Sequence, residues 1–142
     1  MSSPPTCPFK IQTAIKCSID VYYFEVPCML HNLLNHQAPA IDAGQYDQIW
    51  SSVGMKTSIP VSSSKLSAEA TLTQVLTSNG FKAIGPGPMG NQRYAGMTIN
   101  NIPICLGATI LPGTVNMEVC SPVPPLEGLI REAVNHILTK NA

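Results

Sequence analysis

Charge is scarce in this sequence. Its 142 residues include 8 basic and 8 acidic side chains, 11% of the chain, and the formal net charge is +0. An ordinary soluble domain carries about a quarter, so Ser, Thr, Asn and Gln must make up the surface. No block of like charge occurs. That excludes a nucleic-acid footprint and a polybasic membrane patch. No apolar run approaches the roughly 18 to 20 residues of a spanning helix, so no direct membrane insertion is expected. The opening MSSPPTCPFK lacks the apolar core of a signal segment, which predicts a cytosolic chain or a piece cut from one. There is no CxxC pair. Cys7, Cys17, Cys28, Cys105 and Cys120 are odd in number and scattered, unlike a disulfide framework. The last four lie in apolar stretches, where free cysteine packs as a small hydrophobe. There is no internal repeat and no interior domain boundary, and the length suits one domain with one core.

Motifs that carry chemistry are equally thin. GPGPMGNQ, residues 85–92, is glycine-rich. A phosphate loop, however, needs a strand before it, a helix after it and a closing Lys-Ser/Thr, so these residues read as a hairpin loop. His31 and His36 are five apart and His136 is remote. A zinc site wants three or four ligands at short, repeated spacing, so these are expected to be surface histidines. The carboxylates Asp20, Glu25, Asp42, Asp47, Glu69, Glu118, Glu127 and Glu132 form no suggestive pair. No serine sits in a nucleophile elbow, and no cysteine has a histidine at a known motif distance. Catalysis needs positioned titratable groups. No catalytic residue, cofactor or metal site is therefore expected, and the chain reads as a non-enzyme.

The hydrophobic pattern is richer. Residues 1–14, with Ser-Ser-Pro-Pro and then Pro8, read as a linker, and residues 15–142 as the domain. Residues 17–34 read as one long strand, or two broken at Pro27; a proline has no N–H to give a ladder, so this strand should be an edge or kinked. From Asp42, the spacing of Tyr46, Ile49, Trp50 and Val53 predicts a short amphipathic helix stopped at Gly54. MKTSIPV is a short strand. Ser67 is placed to cap a helix with Glu69 in its first turn, Leu72, Val75 and Leu76 on one face, and Asn79-Gly80 as its end. FKAI is a strand; RYAGMTI and IPICLGATI form a hairpin about Asn100-Asn101; TVNMEVC follows the turn at Pro112-Gly113. Leu126, Leu129, Ile130, Ala133, Val134, Ile137 and Leu138 make the stripe of a final helix. Strands joined by tight turns must pair antiparallel. The expected fold class is therefore α+β, a single antiparallel sheet flanked by helices.

Three aromatics stand out as candidates for a binding surface: Tyr23 in the first strand, Trp50 in the first helix and Tyr94 in the hairpin. Such residues combine large contact area with a polar tip and anchor peptide sites. The alternative for each is a core ring with its polar atom at the boundary. Alternation puts Tyr23 on the face opposite Tyr22 and Phe24.

SIDVYYFEVPCM, the helix ending QIW, LSAEATLTQVLTSNGF, the Tyr-bearing hairpin, ILPGTVNMEVCSPVPP and the last helix together resemble the C-terminal appendage platform of the beta-type large adaptins. The likeness runs in colinear order over about residues 15 to 140. The resemblance implies a TBP-like platform, with one antiparallel sheet flanked by helices, in an adaptor complex of coated vesicles. It also implies a non-enzymatic partner set: short peptide motifs in disordered tails of trafficking accessory proteins, and the other adaptor subunits through the parent chain. In clathrin-linked members such a peptide docks in a groove whose matching positions here are Tyr23, Trp50 and Tyr94. The location implied is cytoplasmic and peripheral, on trans-Golgi or endosomal membranes. Two departures stand out. Residues 1–14 cannot hold the immunoglobulin-like sandwich that usually precedes the platform, which suits the beta subunits of the fourth, non-clathrin adaptor complexes. An acidic groove residue of clathrin-linked members falls near Gly107, and the groove's basic residues are also expected to be missing, so apolar anchors rather than ion pairs should dominate. The alternative reading is a structural or oligomerisation domain in a larger assembly.

Overall fold

The computed structural model of the protein describes residues 33–54 and 56–142. The expected linker, the body of the first strand with Tyr23, and Met55 lie outside the described residues. Within them the order is α1 (Ala43–Ser52), β1 (Thr57–Ser62), α2 (Glu69–Thr77), β2 (Lys82–Pro86), β3 (Gln92–Met97), β4 (Pro103–Leu111), β5 (Thr114–Cys120) and α3 (Pro124–Lys140). The five strands form one sheet, β1-β5-β4-β3-β2, and every neighbouring pair is antiparallel. This is an α+β domain on a single antiparallel sheet. Leu34 adds an isolated antiparallel bridge to Thr98, just past β3.

Local chemistry explains the element ends. Asp42 and Gln45 form a reciprocal capping box at the start of α1, satisfying two backbone donors that the first turn leaves free. Ser67 does not cap α2, contrary to expectation. The cap position falls on Ala68. Ser67 Oγ instead donates to the Ser64 carbonyl, and Ser63 Oγ accepts from the Leu66 backbone, so the serines are used up in the turn before the helix. β2 runs on through Gly85-Pro86 past a bulge, which shortens the expected 85–92 loop. In α3 the buried stripe is Ile130, Ala133, Val134, Ile137 and Leu138, with Leu126 partly covered; Leu129 turns outward.

The position of Pro60 inside β1 follows from the β4–β5 turn. Pro112-Gly113 is a two-residue turn with Gly113 at φ 74° and Leu111 paired to Thr114. The pair that closes such a hairpin is hydrogen-bonded, and bonded pairs then recur at every second residue. Asn116 therefore directs its backbone bonds to β4. Pro60, which faces Asn116 across β1–β5, has its nitrogen turned away from the ladder, so its missing N–H removes no sheet bond. It also leaves the outer edge of β1 one donor short, which discourages pairing with another strand.

The two faces of the sheet differ. One carries Ile59, Val61, Tyr94, Ile104, Leu106, Ala108, Val115, Met117 and Val119, sealed by Leu72 and Leu76 of α2 and the α3 stripe. The other is met by α1, a helix of only 10 residues. On that second face Ala95, Cys105 and Cys120 are buried against Ile41 and Tyr46, while Ser58, Pro60, Ser62 and Thr109 remain exposed.

Candidate interaction surface

α1 lies close to the second face because the strands present small residues there. Arg93 and Ala95 of β3 alternate with Cys105 and Gly107 of β4 in register. Over this floor Tyr46 is 1% exposed, and its hydroxyl donates to the Leu106 carbonyl at 2.7 Å. One helical turn on, Trp50 stacks on the Tyr46 ring at a centroid distance of 5.5 Å and an interplanar angle of 12°, the neighbour relation expected at i, i+4. Gly107 is the seat of the indole. A β-carbon there would lie 3.0 Å from Trp50 Cη2 and 2.9 Å from Asn91 Nδ2. The indole is only half-buried, while Ser58, Pro60, Ser62 and Thr109 on the same face are exposed.

Two cations border the aromatic pair. Lys56 Nζ lies 4.9 Å from the Trp50 ring centroid and donates to the Val53 carbonyl at 2.9 Å. The Arg93 guanidinium sits 5.5 Å from the Tyr46 ring centroid. Arg93 pairs with Asp47 at 2.9 Å and donates to the carbonyls of Gly85 and Pro86. It thereby ties α1 to the β2–β3 hairpin through each of its three nitrogens. The expectation that the groove lacks basic residues is thus corrected. Both cations come from positions whose relation to Trp50 is set by folding, and Lys56 is the one with ring contact to the indole.

Tyr94 does not belong to this surface. It is 1% exposed and packs in the large core, with its hydroxyl 2.8 Å from Thr73 Oγ1 of α2. Alternation is the cause: Arg93 and Ala95 point towards α1, so Tyr94 between them points the other way. The hairpin side chain that faces α1 is Arg93 instead, over the Tyr46 ring and paired with Asp47. Tyr23, the third candidate, lies outside the described residues. Of the three, the structure places only Trp50 at the candidate surface, with Tyr46, Lys56, Arg93 and Gly107 as its companions. Small residues at period two in RYAGM and CLGA were the available signal for a close helix. Which of the two faces they lined was not readable.

Burial shapes the titration of this layer. It pushes the Tyr46 phenol far above its ordinary range, with the nearby Cys105 thiol adding to the effect and Arg93 opposing it. Burial likewise pushes Cys105 up to about 12, helped by Cys120 and Asp47, and Cys120 up to about 11, with Lys56 working against. An unfolded chain ionises these groups at lower pH, so it binds fewer protons than the folded one between the two values. Stability is therefore full below about pH 9 and falls as pH rises from there towards 12. The expected loss by pH 11 is on the order of 1 kcal/mol or more, read from urea midpoints at stepped pH. A flat profile from pH 8 to 11 would contradict the burial of the thiols.

Among the described residues no three His, Cys, Asp or Glu side chains are grouped to hold a metal ion. No helix there is long and apolar enough to cross a membrane. His36 is exposed and His136 half-buried on α3. No protein-family model and no curated protein matches this chain.

Proposed function

We propose that this domain is a non-catalytic protein-interaction module, the appendage platform of a beta-type adaptin in a vesicle-coat adaptor complex. In that role it binds short linear motifs in the disordered tails of accessory proteins. The colinear sequence likeness supports the family. Its place would be cytoplasmic and peripheral, on trans-Golgi or endosomal membranes through the parent complex. One observation carries the choice of site: a half-exposed indole, stacked on Tyr46 and seated on Gly107, at the margin of the part of the sheet face that α1 covers among the described residues.

A face rather than an edge is the natural dock. β1 carries Pro60, and β2 is bulged and ends at Pro86, features that discourage strand addition. A disordered tail loses chain entropy on docking, so one motif binds modestly, with micromolar dissociation and roughly −7 to −9 kcal/mol. Avidity over many coat copies supplies the rest. Trp50→Ala is expected to weaken calorimetrically measured binding of accessory-tail peptides by at least about 1 kcal/mol, roughly fivefold in Kd, while the thermal midpoint stays near wild type. Equal affinity for the variant would place the peptide elsewhere. Reversible self-association that disappears in the same variant, seen by sedimentation, would favour the oligomerisation role instead.

A further inference from the structure

The row of small residues beneath α1 ends in two cysteines that the proposed binding role does not use. Cys105 on β4 and Cys120 on β5 face each other directly in the ladder. Both are free thiols and both are fully buried. They share their mainly apolar surroundings with Ile41, Tyr46 and Val53, and the charges of Asp47 and Glu127 reach Cys105 and Cys120 respectively.

We propose that Cys105 and Cys120 form a two-thiol site for a single soft, thiophilic centre of the trivalent arsenic type, and that they do not close into a disulfide with each other. The ladder supplies the reason. Counting in twos from the closing pair Leu111–Thr114 gives Thr109–Asn116, Gly107–Glu118 and then Cys105–Cys120. The cysteines therefore occupy a hydrogen-bonded pair, and the outward nitrogen of Pro60 on the next strand requires the same phase. In such pairs the β-carbons stand at the wide end of the cross-strand range, about 5.5 Å. A disulfide draws them to about 3.8 Å, which would buckle the centre of the sheet. An acceptor atom placed between the two sulfurs spans the wider gap without that strain. Thiolates are soft ligands and select soft acceptors. Burial holds Cys120 as the neutral thiol, with Lys56 opposing and Glu127 adding to the effect, so both protons are still present to leave on capture.

Phenylarsine oxide is a suitable probe. Its As=O bond breaks, two As–S bonds form, and both thiol protons leave with the oxygen as one water. Arsenic stays trivalent, so no oxidant is required. Because α1 covers the pair and is tied down by Asp47–Arg93 and by Tyr46–Leu106, capture must wait for α1 to lift. Arg93→Ala is expected to speed it severalfold.

The test uses the full chain, reduced and in native buffer, treated with one equivalent of phenylarsine oxide, then digested and mapped by mass spectrometry. The expected product joins the Cys105 and Cys120 peptides through one arsenic with loss of one water, and Cys120→Ser abolishes the link. Diamide treatment of the wild-type chain is expected to leave the same two residues unbridged. Arsenic confined to other cysteines, a link formed only in urea, or ready formation of a Cys105–Cys120 disulfide would each overturn the proposal. The wild-type mapping stands even if the serine variant folds poorly.

Discussion

Tyr94→Ala is expected to cost about 3 to 5 kcal/mol of stability, the range for deleting a large ring from a packed core. Nothing about the ring suggests a spare position. It is 1% exposed between Leu106 across the ladder and the α2 side of the core, and its phenol is held by Thr73. Burial also raises its pKa, with Thr73 hydrogen bonding opposing. Tyr94→Phe keeps the ring and loses one hydrogen bond, while Thr73 Oγ1 keeps its bond to the Glu69 carboxylate, so it should cost about 1 kcal/mol. Urea denaturation of the two variants separates packing from hydrogen bonding. If the alanine variant lost less than about 1 kcal/mol, the ring would have to be outside the core, and the face assignment of β3 would fall with it. The contrast with Trp50 is the point of the pair. One aromatic lies inside the large core, and the other is half-buried at the surface, where its removal should alter binding while the domain stays folded.

Gly80→Ala should be the next most damaging change, at about 2 to 4 kcal/mol. Gly80 follows α2 with φ at +93°, a conformation that costs a residue with a side chain about 1 to 2 kcal/mol. The bond from Phe81 N to the Leu76 carbonyl at 3.1 Å closes the helix end around it, the arrangement in which glycine is preferred. A second penalty comes from the neighbouring segment. A β-carbon on Gly80 would lie 2.6 Å from the Asn35 carbonyl oxygen and 2.7 Å from His36 Cα. Those are backbone atoms, and Asn35 N is itself bonded to the Met97 carbonyl at 2.9 Å, so they cannot swing aside as a flexible side chain would. Gly90 provides the control. Its φ is +84°, but no atom lies within 4 Å of a β-carbon placed there. Gly90→Ala should therefore show the dihedral cost alone, and the difference in thermal midpoint between the two variants measures the collision. Equal losses would mean that the 35–36 segment does not pack on the end of α2.

Much of the framework could be read along the chain. The tight turns at Asn100-Asn101 and Pro112-Gly113 force antiparallel neighbours, and both hairpins are present. The 3.6-residue stripe of the last helix is buried as its spacing required, except at Leu129, which lies at the rim of the stripe. Where a side chain has more than one backbone group within reach, the short-range pattern does not decide which it bonds. Ser67 had the right chemistry to cap α2, but the turn before the helix took its hydroxyl. The histidines and carboxylates were legible only as unclustered along the chain, since closeness in space is not a property of sequence.

The candidate surface was legible in composition but not in orientation. Period-two alternation tells which residues of a strand share a face; it does not name the face. Tyr94 and Arg93 are adjacent in sequence and lie on opposite sides of the sheet. Only the packing of α2 against one side and α1 against the other decided that the phenol would be sealed in and the guanidinium would lie over the Tyr46 ring. Trp50 could be found as the single tryptophan on a short amphipathic helix. Its seat on Gly107 depends on a contact across 57 positions of chain.

From residue order alone come the antiparallel pairing, the helices and their apolar stripes, because turns, caps and periodicity act over a few neighbouring residues. The tertiary structure alone decided which aromatic reaches solvent, which cation meets it and which cysteines face each other. Those outcomes depend on the register of strands and on the side of the sheet each helix covers, and both are set by burying the whole apolar surface at once.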